Sequence, residues 1–344
     1  MLYKKTGRLA ILLSVTMQVA VTAAQNFNLS FHHINSAGIL PEKHVMCFFR
    51  DSIGFIWLGT KNGLVRFDGV NVKTFQHASS DAPGFKGYNV NKILNDKNNN
   101  LWIGTDYGLN FYDVHTNTFK NFPLIPSTEG GEKGMCYTIP ITLDDSDRLW
   151  LFMATTYSLY TFDINTYQLK KIPCKADLKS GVLPAENFKK VKKLGFRLLQ
   201  GVVLYDVDNY NAVNEQQYFS PKGLFPELII NEASVFFQND SIVWITCDKG
   251  LIQLDYLKKS YHLYNTFNNT PTGKLVDARF YDNSIIVSSA YNGLFVFDVQ
   301  KNSFVARVNN SPSDPNSLLN NKINSFINIS ARNWSVKIKL SQSG

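Results

Sequence analysis

Four cysteines are scattered through 344 residues, and no two of them form a CxxC pair. That removes the usual ligand spacing of a structural zinc site. Cys47 and Cys247 lie inside apolar strand-like runs, where a free thiol behaves as a small buried hydrophobe. Cys136 and Cys174 sit closer together and are free to pair in an oxidising compartment, with the connectivity left open by the sequence. The six histidines, His32, His33, His44, His77, His115 and His262, show no HExxH spacing, and neither a GxSxG elbow nor a P-loop occurs. The expectation is a protein without enzyme activity, cofactor or metal, although an acid pair assembled from distant parts of the chain would leave no local signature.

Long apolar runs are equally scarce. The one candidate is Leu9 to Ala24, LAILLSVTMQVAVTAA, preceded by Lys4, Lys5 and Arg8. It is shorter than the roughly 20 residues of a membrane-spanning helix and has the charged, apolar and small-residue order of a secretory signal. Residues 1–24 are therefore read as a signal peptide, with an uncleaved anchor as the alternative, and the mature chain is expected in the periplasm or outside the cell. No cysteine follows the cleavage region to suggest a lipoprotein. Without those residues the formal charge falls from +8 to +5, too mild an excess to argue for nucleic acid. The densest basic run, Lys189, Lys190, Lys192 and Lys193, reads as a solvated loop or a charged strand edge that guards against pairing.

What the sequence has in abundance is itself. DSIGFIWLGTKNGLVRFDG at residues 51 to 69 returns 45 positions later as DKNNNLWIGTDYGLNFYDV. A hexamer of glycine, apolar, any, any, apolar or aromatic, and aspartate recurs as GLVRFD, GLNFYD, SLYTFD, GVVLYD, GLIQLD and GLFVFD, starting at Gly63, Gly108, Ser158, Gly201, Gly250 and Gly293. Trp57, Trp102 and Trp244 stand six residues before it and Trp150 eight before, whereas Gly195 and Val287 take that place in the fourth and sixth copies. A fixed period of this size is the signature of a repeat architecture.

One repeat reads as a four-stranded unit. Val45 to Phe49 is a short apolar run, Asp51 to Gly54 a turn and FIWLG a second run; Asn62-Gly63 suits a tight hairpin, Asp68-Gly69 turns again, and Val72 to Phe75 closes the unit. Such a small sheet is not stable alone, and its nearly continuous apolar runs call for cover on both faces. Sheets stacked radially around an axis meet that need, so the expected fold is an all-β propeller of four-stranded antiparallel blades, about seven in number with the last incomplete. Residues 25–344 form this one domain, with blades anchored near 57, 102, 150, 195, 244 and 287, and a partial one near 334. The tryptophans are expected as core between neighbouring blades. The closing aspartates Asp68, Asp113, Asp163, Asp206, Asp255 and Asp298 are expected to serve turns and not catalysis. Phe27 to Ile34 has the look of an orphan outer strand, and Ile323 to Ile329 of a new first strand. After Trp334 the chain reads WSVKIKLSQSG, where the repeat asks for WIGT and a glycine hexamer.

These residues resemble the two-component regulator propeller repeat of the extracytoplasmic sensor half of bacterial hybrid histidine kinases. SFHHINSAGILPEKHVMCFFRDSIGFIWLGT is similar to the way that sensor begins, and SPSDPNSLLNNKINSF to its inter-blade linker. The resemblance covers residues 27 to about 330, strongest in repeats one, two and five. It implies a periplasmic sensor of glycans or their breakdown products; the kinase histidine motif and ATP-binding region of the wider family are not in this sequence. The expected partners are an oligosaccharide ligand and a second copy of the chain, with no nucleic acid, and a membrane only through C-terminal domains that this sequence does not contain.

A propeller gathers the loops that lead into its innermost strands around the axis, where ligands bind. The position 13 residues before each tryptophan column falls there and reads His44, Asn89, Tyr137, Asn231, Lys274 and Asn321. Five polar groups with one aromatic form a set that can recognise a sugar, and turn residues are polar for structural reasons too. A secreted propeller lyase or glycosidase, and a non-functional fragment of a sensor gene, are the alternative functions.

Overall fold

The computed structural model describes residues 45–79, 82–124, 135–172 and 234–323, apart from 240, 256, 282, 315–316 and 319. It also describes the backbone of strands at 183–184, 193–198, 201–206, 217–219, 325–328 and 334–337. The first blade comprises β1 (Val45–Arg50), β2 (Ile56–Thr60), β3 (Gly63–Phe67) and β4 (Val72–Phe75). The second comprises β5 (Val90–Asn95), β6 (Leu101–Thr105), β7 (Gly108–Asp113) and β8 (Thr118–Phe122), and the third β9 (Thr138–Leu143), β10 (Arg148–Met153), β11 (Ser158–Asp163) and β12 (Leu169–Ile172). The weak fourth repeat still forms β13 (Leu183–Pro184), β14 (Lys193–Leu198), β15 (Gly201–Asp206) and β16 (Gln217–Phe219). The fifth blade has β17 (Val235–Phe237), β18 (Ile242–Thr246), β19 (Leu251–Asp255) and β20 (Ser260–Tyr264). After a small hairpin of β21 (Thr266–Phe267) and β22 (Thr270–Pro271), the sixth has β23 (Leu275–Tyr281), β24 (Ser284–Ser289), β25 (Leu294–Asp298) and β26 (Ser303–Val308).

Within every blade the strands pair antiparallel in sequence order, as an all-β propeller requires. The last repeat contributes a two-stranded sheet of β27 (Ser325–Asn328) and β28 (Trp334–Lys337), so a seventh four-stranded blade is not found among the described residues. The expected orphan strand at 27–34, His44, Asn231, Cys174 and most of the basic run at 189–193 lie outside the described residues.

The blades are held by cores that each draw on two consecutive sheets. Trp57 and Leu64 pack with Val90, Ile93, Leu101 and Tyr112 of the next blade; Trp102 and Leu109 pack with Leu149, Leu151 and Phe162; Trp244 and Leu251 pack with Leu275, Ile285 and Phe297. Trp57, Trp102 and Trp244 meet edge-on the aromatic at the fifth hexamer position of the following blade: Tyr112 at 5.1 Å, Phe162 at 5.8 Å and Phe297 at 5.3 Å. That repeated pair explains why the period keeps both residues, since edge-to-face rings add to their buried area.

The ring nitrogens of Trp57, Trp102, Trp150 and Trp244 add a polar tie that the period alone does not announce. Trp57 Nε1 donates to Asp51 at 2.8 Å, Trp102 Nε1 to Asp96 at 3.4 Å, Trp150 Nε1 to Asp144 at 2.9 Å, and Trp244 Nε1 to Gln238 at 2.9 Å. The other oxygen of Asp51 accepts from the backbone of Ile53, Gly54 and Phe55, so one carboxylate shapes the first turn and fixes the ring across it. Asp68, Asp113, Asp163, Asp255 and Asp298 accept turn amides as expected.

Two glycine columns have separate reasons. A Cβ on Gly59 would fall 2.6 Å from Val90 of the next blade, and one on Gly104 2.2 Å from Pro140, so the glycine of WLGT and WIGT lets adjacent sheets close up. The hexamer glycine lies at positive φ, +105° at Gly63 and +97° at Gly108. The first hairpin differs from the Asn62-Gly63 turn read in the sequence: Thr60 pairs with Gly63, so the two loop residues are Lys61 and Asn62. Only Gly63 has positive φ, and Thr60 Oγ1 accepts the amide of Asn62 at 3.0 Å to hold the loop.

Candidate functional site

The first strand of each blade is the innermost: β1 lies against β5, and β5 against β9. Asn89, Tyr137 and Lys274 stand immediately before β5, β9 and β23, which places three of the sequence-selected residues where chain enters the axial strands. Asn321 lies a few residues before β27 and has a structural task, its carbonyl accepting from Gly293 at 2.9 Å and its Oδ1 from the Asn310 amide at 2.6 Å.

Asn89 is held by a residue that the pattern does not single out. Asp106, in the β6–β7 turn and almost fully buried, accepts the amides of Tyr88 at 2.8 Å and Asn89 at 3.2 Å, and the Asn89 carboxamide at 2.8 Å. Burial, with the Asp106 carboxylate adding to it, pushes the Tyr137 phenol above its ordinary pKa. The repeat carries Lys61 at the corresponding place in its first copy, so the one available signal was the departure of GTDYG from GTKNG.

Around this hub stands an aromatic group. His77 stacks on Tyr88 with ring centres 4.7 Å apart and planes 18° from parallel, and Tyr107 leans on His77 at 4.7 Å. Tyr88 remains 42% exposed, so part of the group is open to solvent. His77 Nδ1 accepts the Gly87 amide at 2.8 Å; burial, then the Lys86 ammonium, pull its imidazole below the ordinary histidine value. Lys86 gathers the preceding loop by donating to the carbonyls of Ala78, Ser79 and Ala82. Asn110 clamps the Lys86 backbone in both directions, at 2.9 and 2.8 Å. A buried acid, a carboxamide, an imidazole and an exposed phenol ring are the groups that hydrogen-bond and stack on a polyhydroxylated ring. No cluster of three or more histidine, cysteine or acidic side chains able to hold a metal ion occurs among the described residues. Cys136 is a free, buried thiol that donates to the Leu124 carbonyl at 2.8 Å, and Cys174 lies outside the described residues.

Comparison with known proteins bears on the fold and the repeat. Residues 39–62 and 84–107 match the two component regulator propeller repeat. The extracellular domain of the hybrid two component system BT3049 of B. thetaiotaomicron superposes with a TM-score of 0.64 at 19% identity, over 87% of this chain and 39% of that one. The extracellular domain of the B. thetaiotaomicron one component system BT4673 gives 0.56 at 18% identity, over 87% and 37%. This chain thus spans about two fifths of the length of those domains. Virginiamycin B lyase of Staphylococcus aureus, bound to quinupristin, gives 0.52 at 15% identity, over 72% and 79%. No curated protein sequence matches the chain. No helix of the described residues is long and apolar enough to cross a membrane.

Proposed function

We propose that this chain, a propeller built on two-component regulator propeller repeats, is a periplasmic or extracellular ligand-sensing module of a two-component regulatory system and recognises a glycan or its breakdown product. The observation that carries the reading is the Asp106 hub: Asn89, chosen for its place before an axial strand, is held by one buried carboxylate beside the stacked rings of His77, Tyr88 and Tyr107. The likeness to extracellular domains of Bacteroides regulatory systems supports the sensor role through the fold. In this reading the ring holds about seven blades, carries no chemistry of its own, and signals by ligand-dependent docking or pairing with a second copy.

The test is calorimetry of the full chain against a panel of plant and host oligosaccharides, repeated with Tyr88→Ala, which leaves the buried hub intact. A saturable heat that weakens by about tenfold in the variant, as for the loss of one stacked ring and its contacts, supports the reading. Binding indifferent to Tyr88, or turnover of a bound oligosaccharide, overturns it.

A further inference from the structure

Four consecutive backbone amides lead into β5, and each is capped by a side chain. Lys86 donates to Asn110 Oδ1 at 2.9 Å, Gly87 to His77 Nδ1 at 2.8 Å, and Tyr88 and Asn89 to Asp106 Oδ1 at 2.8 and 3.2 Å. Three acceptors therefore set the shape of the segment 86–89 that presents Tyr88. Of these side-chain types, histidine is the one whose ordinary titration lies between about pH 5 and 8.

The Gly87 bond fixes the protonation of the ring. An imidazole nitrogen that accepts an N–H carries no hydrogen itself, so His77 is neutral with its proton on Nε2. A proton taken from solvent at Nδ1 would set one N–H against another, and the Gly87 amide would lose its acceptor. Gly87 has little room to adjust: its φ is +115°, and a Cβ there would fall 2.5 Å from Thr105. The ring has to turn instead, and it is the ring on which Tyr88 and Tyr107 both pack at 4.7 Å.

The groups that face His77 make its charged form costly. They are Lys86 and Tyr88 on the entering segment, and Asp106 and Tyr107 on the β6–β7 turn. Burial first, then the Lys86 ammonium, hold the imidazole below its ordinary value, with Asp106 opposing them. Among the described residues no carboxylate hydrogen-bonds the ring, so an imidazolium gains no close ion pair in place of the lost bond. The unfolded chain takes this proton more readily than the folded one, and the bond is lost as pH falls.

We propose that His77 is a pH-sensitive latch: the neutral ring holds segment 86–89 in the form that presents Tyr88, and a proton on Nδ1 releases it, so that recognition weakens in acid. The release stands on the geometry alone, whereas its effect on recognition rests on the sugar-binding reading.

The experiment is a nuclear magnetic resonance titration of the full chain from neutral to about pH 5, repeated on His77→Asn, whose carboxamide oxygen can take the Gly87 amide without titrating, and on His77→Phe, which keeps a ring and loses the acceptor. The amide spectrum of the other blades reports that each variant is folded. In the parent the Gly87, Tyr88 and Asn89 amides should shift together with the His77 ring; in His77→Asn they should stay put, and in His77→Phe they should lie near the acid positions already at neutral pH. A ring that titrates without moving the Gly87 amide, a ring that stays neutral to about pH 5, or an Asn variant that titrates like the parent overturns the latch. Any oligosaccharide of the panel above that binds through Tyr88 should bind about tenfold more weakly at pH 5 than at pH 7 in the parent and equally at both in His77→Asn. Binding indifferent to pH overturns the gating. A panel without a binder fails the sugar reading, and the amide titration then decides the latch alone.

Discussion

Lys92 offers a quantitative check because its environment has a thermodynamic signature apart from any ligand. Its pKa falls from 10.5 to about 8, chiefly through burial, with Arg279 repelling it and Cys47 and Asp277 opposing the fall. At about 1.4 kcal/mol per pH unit, keeping the ammonium charged costs the folded state about 3 kcal/mol. The sign follows from proton counting. Below about pH 8 both folded and unfolded chains hold the proton and the whole cost is present. Between about pH 8 and 10.5 the unfolded chain holds more protons, so stability rises with pH, and above that range the cost is gone. Lys92→Met should therefore stabilise the protein by up to about 3 kcal/mol at pH 7 and by almost nothing near pH 10.5. Urea unfolding followed by tryptophan fluorescence at several pH values measures this, and taking the difference between variant and parent at each pH cancels the other titrating groups. A difference that stays constant from neutral to alkaline pH would refute the burial of the Lys92 ammonium.

Other outcomes follow from the packing. Trp102→Ala should lower stability by about 3 to 5 kcal/mol, as for a large buried aromatic, and an unchanged melting temperature would remove it from the core between blades. Gly104→Ala should cost about 1 to 3 kcal/mol because its methyl would overlap Pro140 and the Thr138 carbonyl, which calorimetric melting can read. Cys247, fully buried and with its thiol pushed up to about 11 by burial, should resist iodoacetamide at pH 8 in the folded protein and react once urea is added.

The fold was legible because each blade repeats the same solution. The hexamer glycine, its aromatic and the tryptophan recur at fixed places, and the structure spends them on a hairpin, an edge-to-face contact and an inter-blade core. The tie from Trp57 to Asp51 was hidden because an aspartate in a turn already has a sufficient local reason in its amides. Positions before the innermost strands were also readable, as Asn89, Tyr137 and Lys274 show, but their roles were not. Asn89 turns to Asp106 in another turn 17 residues away, and the period marks what repeats, whereas Asp106 is a departure from it.

The amide of the hexamer glycine points outward from its own blade: Gly63 donates to the Tyr88 carbonyl at 2.7 Å, Gly108 to that of Cys136 at 3.0 Å, and Gly293 to that of Asn321 at 2.9 Å. The segments that carry Tyr88, Cys136 and Asn321 are thus each gripped by the blade before them. A tilt of the first sheet would drag the Tyr88 segment along, and a ligand seated on Tyr88 would pull on the hairpin of the first blade through one hydrogen bond. Those three links are hands on the next wrist, the physical means by which a shift of one blade would reach the loop that opens the following one.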